Sequence, residues 1–143
     1  MRRFGLIGAV AATLAATAAL MPGWSATAAQ PKASARIVSF KRDVIPLFQT
    51  NCAVCHQETV PSGGLVLLPA YAYANLANVG SVQTSMLRVA PGKPDKSYIM
   101  NKILGTHGSV RGKGNAMPIG QPPLLNSEIE IVRVWIAQGG KNN

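Results

Sequence analysis

Cys52 and Cys55 are the only cysteines in the chain, and His56 directly follows the second of them. Cys-x-x-Cys-His is the spacing that attaches a c-type haem to a polypeptide. Each thiol adds across one vinyl group, and two intervening residues let one tight turn reach both neighbouring pyrrole rings. The histidine after the second cysteine is then held under the iron, where its imidazole becomes the proximal axial ligand. Both cysteines are consumed and none is left over.

Two other chemistries compete for the same residues. A Cys-x-x-Cys disulfide with thioredoxin-like activity suits an oxidising compartment. No alternation of strands and helices surrounds the pair, however, and the histidine falls where a haem needs it. A zinc site would need a fourth ligand beyond Cys52, Cys55 and His56. Only His107 is obvious for that place, and the spacing matches no common zinc pattern.

The sixth position of a haem iron decides what the group can do, because a thioether favours Fe(II) and closes the iron to small molecules. Met117 is the preferred ligand. It lies in a glycine-rich, otherwise polar segment that gives a methionine little packing reason to be there, and Pro118 fixes the backbone beside it. Met86 sits in an apolar segment and Met100 in a helix beside Ile99 and Ile103, so both read as packing residues. His107 leaves bis-histidine ligation open, and an open or water-bound site is the remaining alternative.

Four helices are expected to position these groups. A first runs from Asp43 to about Asn51, capped by Asp43, with Pro46 in its first turn and Val44, Leu47 and Phe48 on one face. It delivers the chain into Cys52. Pro61-Ser62-Gly63-Gly64 breaks the chain, and Leu65 to Leu68 is an apolar run too short to classify, read as a haem-wall or extended segment. A second helix covers Tyr71 to about Ala77, and Met86 to Val89 is extended or irregular. A third covers Lys96 to Leu104, with Asp95 or Ser97 near its start and Gly105 just past its end. Residues 105–123 hold five glycines and three prolines and form a long loop. In the final helix Ser127 and Glu130 make a capping box, Ile131, Val134, Trp135 and Gln138 follow at helical spacing, and Gly139-Gly140 stops it. Trp135 reads as a core residue packed on the first helix or the haem edge.

The N-terminus reads as a secretory signal. Arg2 and Arg3 precede an uncharged Ala/Leu-rich run from Phe4 to Met21, Pro22-Gly23 breaks it, and Ala26-Thr27-Ala28 supplies small residues for cleavage near Ala28. A retained membrane anchor is the alternative reading of that run. The organisation expected is a signal peptide at 1–28, a leader at 29–40 and one domain at 41–143. The mature 115 residues suit a single domain with a marginal core, to which a haem would add apolar surface. The whole chain carries +9 at pH 7, and +7 remains in residues 29–143. Such an excess favours a partner with an acidic docking surface. Lys93, Lys96, Lys102, Arg111 and Lys113 are the candidates to ring that face. Nucleic acid is excluded as a partner by export and by the scatter of the basic residues.

These features resemble a small class I-type monohaem cytochrome c, closest to the bacterial cytochrome c domains often found in planctomycete proteins. The resemblance is carried by Asp43-Val44-Ile45-Pro46-Leu47-Phe48, by Cys52 to His56 and by Gly63-Gly64-Leu65. It continues through Pro91-Gly92-Lys93-Pro94-Asp95-Lys96-Ser97, Met117-Pro118 and Trp135-Ile136-Ala137-Gln138-Gly139. It implies an all-α, cytochrome c-like helical domain around one covalent haem c, with long irregular loops and the first and last helices crossing beside the haem. It implies Cys52 and Cys55 as thioether carriers and His56 and Met117 as axial ligands. The expected function is periplasmic electron transfer without catalytic residues of its own. A haem enzyme or sensor with a displaceable sixth ligand (peroxidase-like or gas-binding) is the alternative, as is an electron-transfer subunit of a larger oxidoreductase. Tyr71, Tyr73, Tyr98 and Arg88 are candidate partners for the haem propionates.

Overall fold

In a computed structural model, residues 36–143 are described. The signal peptide and most of the leader expected from the sequence lie outside the described residues. Within 36–143 the chain is all-α: helices and tight helical turns are joined by long irregular segments, with three isolated β-bridges and no strand. No described helix is long and apolar enough to cross a membrane.

The chain enters through a wide, π-type turn, Phe40–Val44, which runs directly into α1, Ile45–Asn51. Helical structure therefore starts three residues before the expected Asp43. Ser39 is the cap: its hydroxyl accepts the Arg42 N–H, and the Asp43 carboxylate reaches back to accept the Ser39 N–H at 2.7 Å. That hydrogen bond, with Arg36 and Arg42 nearby, holds the Asp43 carboxyl below its ordinary range. Pro46 gives the physical reason for the widened turn. It has no N–H for the Arg42 carbonyl, and its ring crowds that carbonyl outward.

The second helix, α2, is Ala72–Leu76, one residue shorter at each end than expected. The third begins as a 3-10 turn, Pro94–Lys96, breaks at an extended Ser97, and resumes as α3, Tyr98–Ile103. Ser97 does not cap α3 with its side chain. Its buried hydroxyl instead accepts the Ala90 N–H at 2.8 Å and donates to the Lys93 carbonyl at 2.9 Å, pinning the preceding turn. The long loop contains one 3-10 turn, His107–Val110.

The last helix, α4, is Asn126–Ala137. The Ser127/Glu130 capping box expected from the sequence is not formed. The helix begins two residues earlier, so Glu128 occupies the third helical position and accepts the Leu125 N–H at 2.8 Å. Glu130, two residues further on, pairs with Arg133 instead. Gly139 and Gly140 adopt left-handed conformations and end the helix, as their placement predicts.

The core joins the two ends of the described chain. Phe40 and Trp135, each 1 % exposed, stack with ring centroids 4.9 Å apart, and Tyr73 meets Phe40 edge-on at 5.5 Å. Trp135 thus packs on the turn leading into α1. Val38 and Phe40, assigned to the leader by sequence, are both core residues. Gln138 and Asn143 sew this stretch in place: the Gln138 side-chain carbonyl accepts the Val38 N–H and the Asn143 backbone carbonyl accepts the Lys41 N–H.

Candidate functional site

Cys52 to His56 continue α1 as a tight turn. The Cys52 carbonyl accepts both the Cys55 and His56 N–H groups, at 3.2 and 3.1 Å, while the Cys52 N–H donates back to Phe48. The turn is clamped to the extended Leu65–Leu67 segment, because the Leu67 N–H donates to the His56 carbonyl at 2.8 Å. Leu47 and Phe48 of α1, Leu65 and Leu67 of this segment, Ile99 and Ile103 of α3, and Leu124 before α4 then surround a single cleft. Counted out to its open mouth, the cleft encloses about 1220 Å³.

All four residues singled out from the sequence line this cleft: Cys52, Cys55, His56 and Met117. Met117 is the only described methionine on its wall; Met100 is 2 % exposed in the core, and Met86 is half-buried elsewhere. The Met117 N–H donates to the Lys102 carbonyl at 2.9 Å, so the loop is hung from the end of α3 at this point. His107 does not reach the cleft. Its Nε2 donates to the Gly114 carbonyl at 2.8 Å and closes the neck of its own loop.

His56 is prepared as a neutral donor. Its Nδ1 lies 3.0 Å from the Leu65 carbonyl, an atom that can only accept, so Nδ1 carries the proton and Nε2 keeps a free lone pair. Burial lowers its pKa; the Leu65 hydrogen bond opposes this, and the Arg88 and Lys102 charges reinforce it. A carbonyl behind a ligating imidazole fixes its orientation and raises its basicity. Both cysteines are free thiols. Burial pushes the Cys52 thiol up to about 11, which leaves almost none of it as the attacking thiolate that disulfide exchange needs. No group of three or more His, Cys, Asp or Glu side chains suited to a metal ion occurs among the described residues.

Two cations line the same cleft. Arg88, 8 % exposed, donates to the carbonyls of Asn75 at 2.9 Å, Gly64 at 2.9 Å and Gly63 at 3.4 Å. Lys102, also 8 % exposed, donates its Nζ to the Lys113 carbonyl at 3.1 Å. Burial lowers both pKa values. No carboxylate lines the cleft, so two partly desolvated cations line it with backbone carbonyls and, for Lys102, the Tyr98 ring as partners, an arrangement that favours an anionic ligand. Tyr98, Gln83 and Ser81 line it as well. Of the side chains considered for propionates, Arg88 and Tyr98 line the cleft; Tyr71 pairs with Glu58 and Tyr73 packs on Phe40.

Lys102 is thus a wall residue, not part of an exposed ring. Its place in the sequence carried a signal: it shares a helical face with Ile99 and Ile103, where a lysine is unexpected. Gln83, Ser81 and the Leu65 carbonyl carried none.

Tyr98 is held from behind by Gly112. A Cβ at Gly112 would strike the Tyr98 ring and stand 2.8 Å from the His107 carbonyl. Gly112→Ala should therefore cost about 1–3 kcal/mol through overpacking. Thermal unfolding measures that loss, and an unchanged Tm would contradict the tight approach.

Comparisons of the chain with known families, with characterised proteins and with solved structures gave no match.

Proposed function

We propose that this chain is a monohaem c-type cytochrome with a cytochrome c-like fold, carrying one electron at a time between periplasmic partners. One observation carries the reading. A single largely apolar cleft is lined by Cys52, Cys55 and His56 together with one described methionine, Met117, and by two buried cations and no carboxylate. A large apolar ring system with two acidic side chains matches that lining in chemistry.

When bound, the haem supplies a one-electron couple between Fe(III) and Fe(II). The chain's own residues do the rest. Cys52 and Cys55 would hold the group through their sulfurs, and His56, oriented by the Leu65 carbonyl, would donate Nε2 to it. Met117 would supply a thioether to the iron and so keep small molecules from it. Arg88 and Lys102 would pair with its acidic side chains, while Leu47, Phe48, Leu67 and Ile99 would exclude water from the site. No substrate bond would be made or broken, and the chain's part would be to hold the group and keep water from it. A partner with an acidic surface suits the chain's positive charge.

Two measurements test this reading. A pyridine haemochrome assay on purified protein should give one haem per chain that survives acid–acetone extraction; its absence would remove the proposal. Met117→Ala should abolish the weak red-region sulfur-to-iron band and let carbon monoxide bind the reduced protein readily. The potential should fall by on the order of 100 mV, a modest share of the ~0.8 V that axial ligands span. Survival of the band in the variant would refute the ligand assignment.

A further inference from the structure

Arg88 is buried on the cleft wall and takes part in none of the ion pairs among the described residues. Burying a guanidinium without an anion is costly, and a neutral side chain would fill the same wall at less cost. Its partners show what the charge does there. Nη1 donates to the Asn75 carbonyl in α2, while Nη2 donates to the carbonyls of two consecutive residues, Gly63 and Gly64. Both glycines hold left-handed φ angles, +61° and +62°, a conformation that glycine adopts freely. The Arg88 backbone is fixed as well: its N–H donates to the Val79 carbonyl at 2.7 Å and its carbonyl accepts the Ile99 N–H at 3.1 Å. The guanidinium is thus a planar fork on an anchored backbone.

The glycine pair leads straight into the strip that meets His56. Residues 62–67 are bonded to the Cys52–His56 turn at three points. The Ser62 N–H donates to the Cys55 carbonyl at 3.3 Å, the Leu65 carbonyl accepts from His56 Nδ1 at 3.0 Å, and the Leu67 N–H donates to the His56 carbonyl at 2.8 Å. Leu65 is also bracketed along the chain. Arg88 holds Gly64 just before it, and the Asn75 side-chain carbonyl accepts the Val66 N–H just after it, at 3.4 Å. The bond from Arg88 to the Asn75 carbonyl closes the bracket.

Resting on the proposed function, we infer that Arg88 is a positioning residue for the iron donor: through Gly64 it fixes the Leu65 carbonyl that orients the His56 ring. This role is separate from any pairing with acidic side chains in the cleft. The ammonium of the other buried cation, Lys102, is bonded elsewhere, to the Lys113 carbonyl.

Arg88→Lys keeps the charge and loses the fork. The probe is exchange of the His56 Nδ1 proton, followed by NMR on 15N-labelled, dithionite-reduced protein, with the α4 amides as internal reference. Exchange should quicken at least about tenfold at Nδ1 and at the Leu67 N–H, because the bonds behind the carbonyl are lost, while α4 is unchanged. Asn75→Ala leaves every charge in place and should quicken it about threefold; it carries the test if the lysine variant fails to fold. The reduction potential supplies a sign. A less firmly held imidazole is a poorer donor to Fe(III), so the potential of Arg88→Lys should rise. Unchanged Nδ1 exchange in both variants, or a rise shared by α4, would overturn the Arg88 role and leave electron transfer standing. A lowered potential would assign Arg88 to the acidic side chains alone. The same proton can be followed in protein that purifies without haem: quickened exchange there would support the Arg88 role and overturn electron transfer.

Discussion

On the proposed haem reading, His56→Ala should yield protein with at least about tenfold less haem absorbance per chain than wild type, because the motif would then lack its iron donor. Thioether bonds alone do not orient the ring. The free lone pair on His56 Nε2 exists only because Nδ1 is committed to the Leu65 carbonyl. Burial also lowers the imidazole pKa, so the neutral, ligating form prevails at pH 7 and is lost only as pH falls through that lowered value. Cys55→Ala is the contrasting variant: it removes one thioether, leaves the donor in place and should retain more haem than His56→Ala. Absorbance of the Soret band per chain, with intact mass, measures both. A His56→Ala protein with full haem content would mean that the iron is held from elsewhere.

Trp135→Ala carries the largest expected loss of stability. Trp135 is 1 % exposed, stacks on Phe40 and donates its indole N–H to the Lys141 carbonyl at 2.9 Å. Truncation leaves a cavity at the junction of α4 and the turn into α1, for a cost of roughly 3–5 kcal/mol. In a domain of this size that lowers Tm by more than about 10 °C. Trp135→Phe keeps much of the stack, loses only the indole bond and should cost far less. Trp135 does not line the cleft, so the haem spectrum of Trp135→Phe should match wild type. A shifted spectrum would show that this stack reaches the haem.

Much of this architecture was legible in the residues, and the exceptions have particular causes. α4 is readable because apolar spacing and the Gly139-Gly140 stop agree, yet it starts two residues earlier than a Ser127 cap would set it. Ser127 and Glu130 satisfy the capping pattern as well as the true arrangement does, and only tertiary packing selects Glu128. The start of α1 was misplaced because Asp43 is a good capping residue, whereas here it supports Ser39 from inside the turn. Met117 stood out as an apolar side chain in a glycine-rich loop. Lys102 was hidden by the rule that lysines face water, although its helical face argued otherwise. The Leu65 carbonyl had no signature, since every residue carries a backbone acceptor.

The polar groups around the cleft are tied to the main chain almost without exception. The His56 ring rests on the Leu65 carbonyl, the Arg88 guanidinium on three loop carbonyls, and the Lys102 ammonium on the Lys113 carbonyl. For a protein whose iron changes charge by one, the activation barrier is largely the cost of rearranging nearby dipoles and solvent. Anchored dipoles in a dry wall have little left to rearrange. On the proposed reading, these carbonyl tethers give the chain a low reorganisation energy, and its electron self-exchange should depend only weakly on temperature.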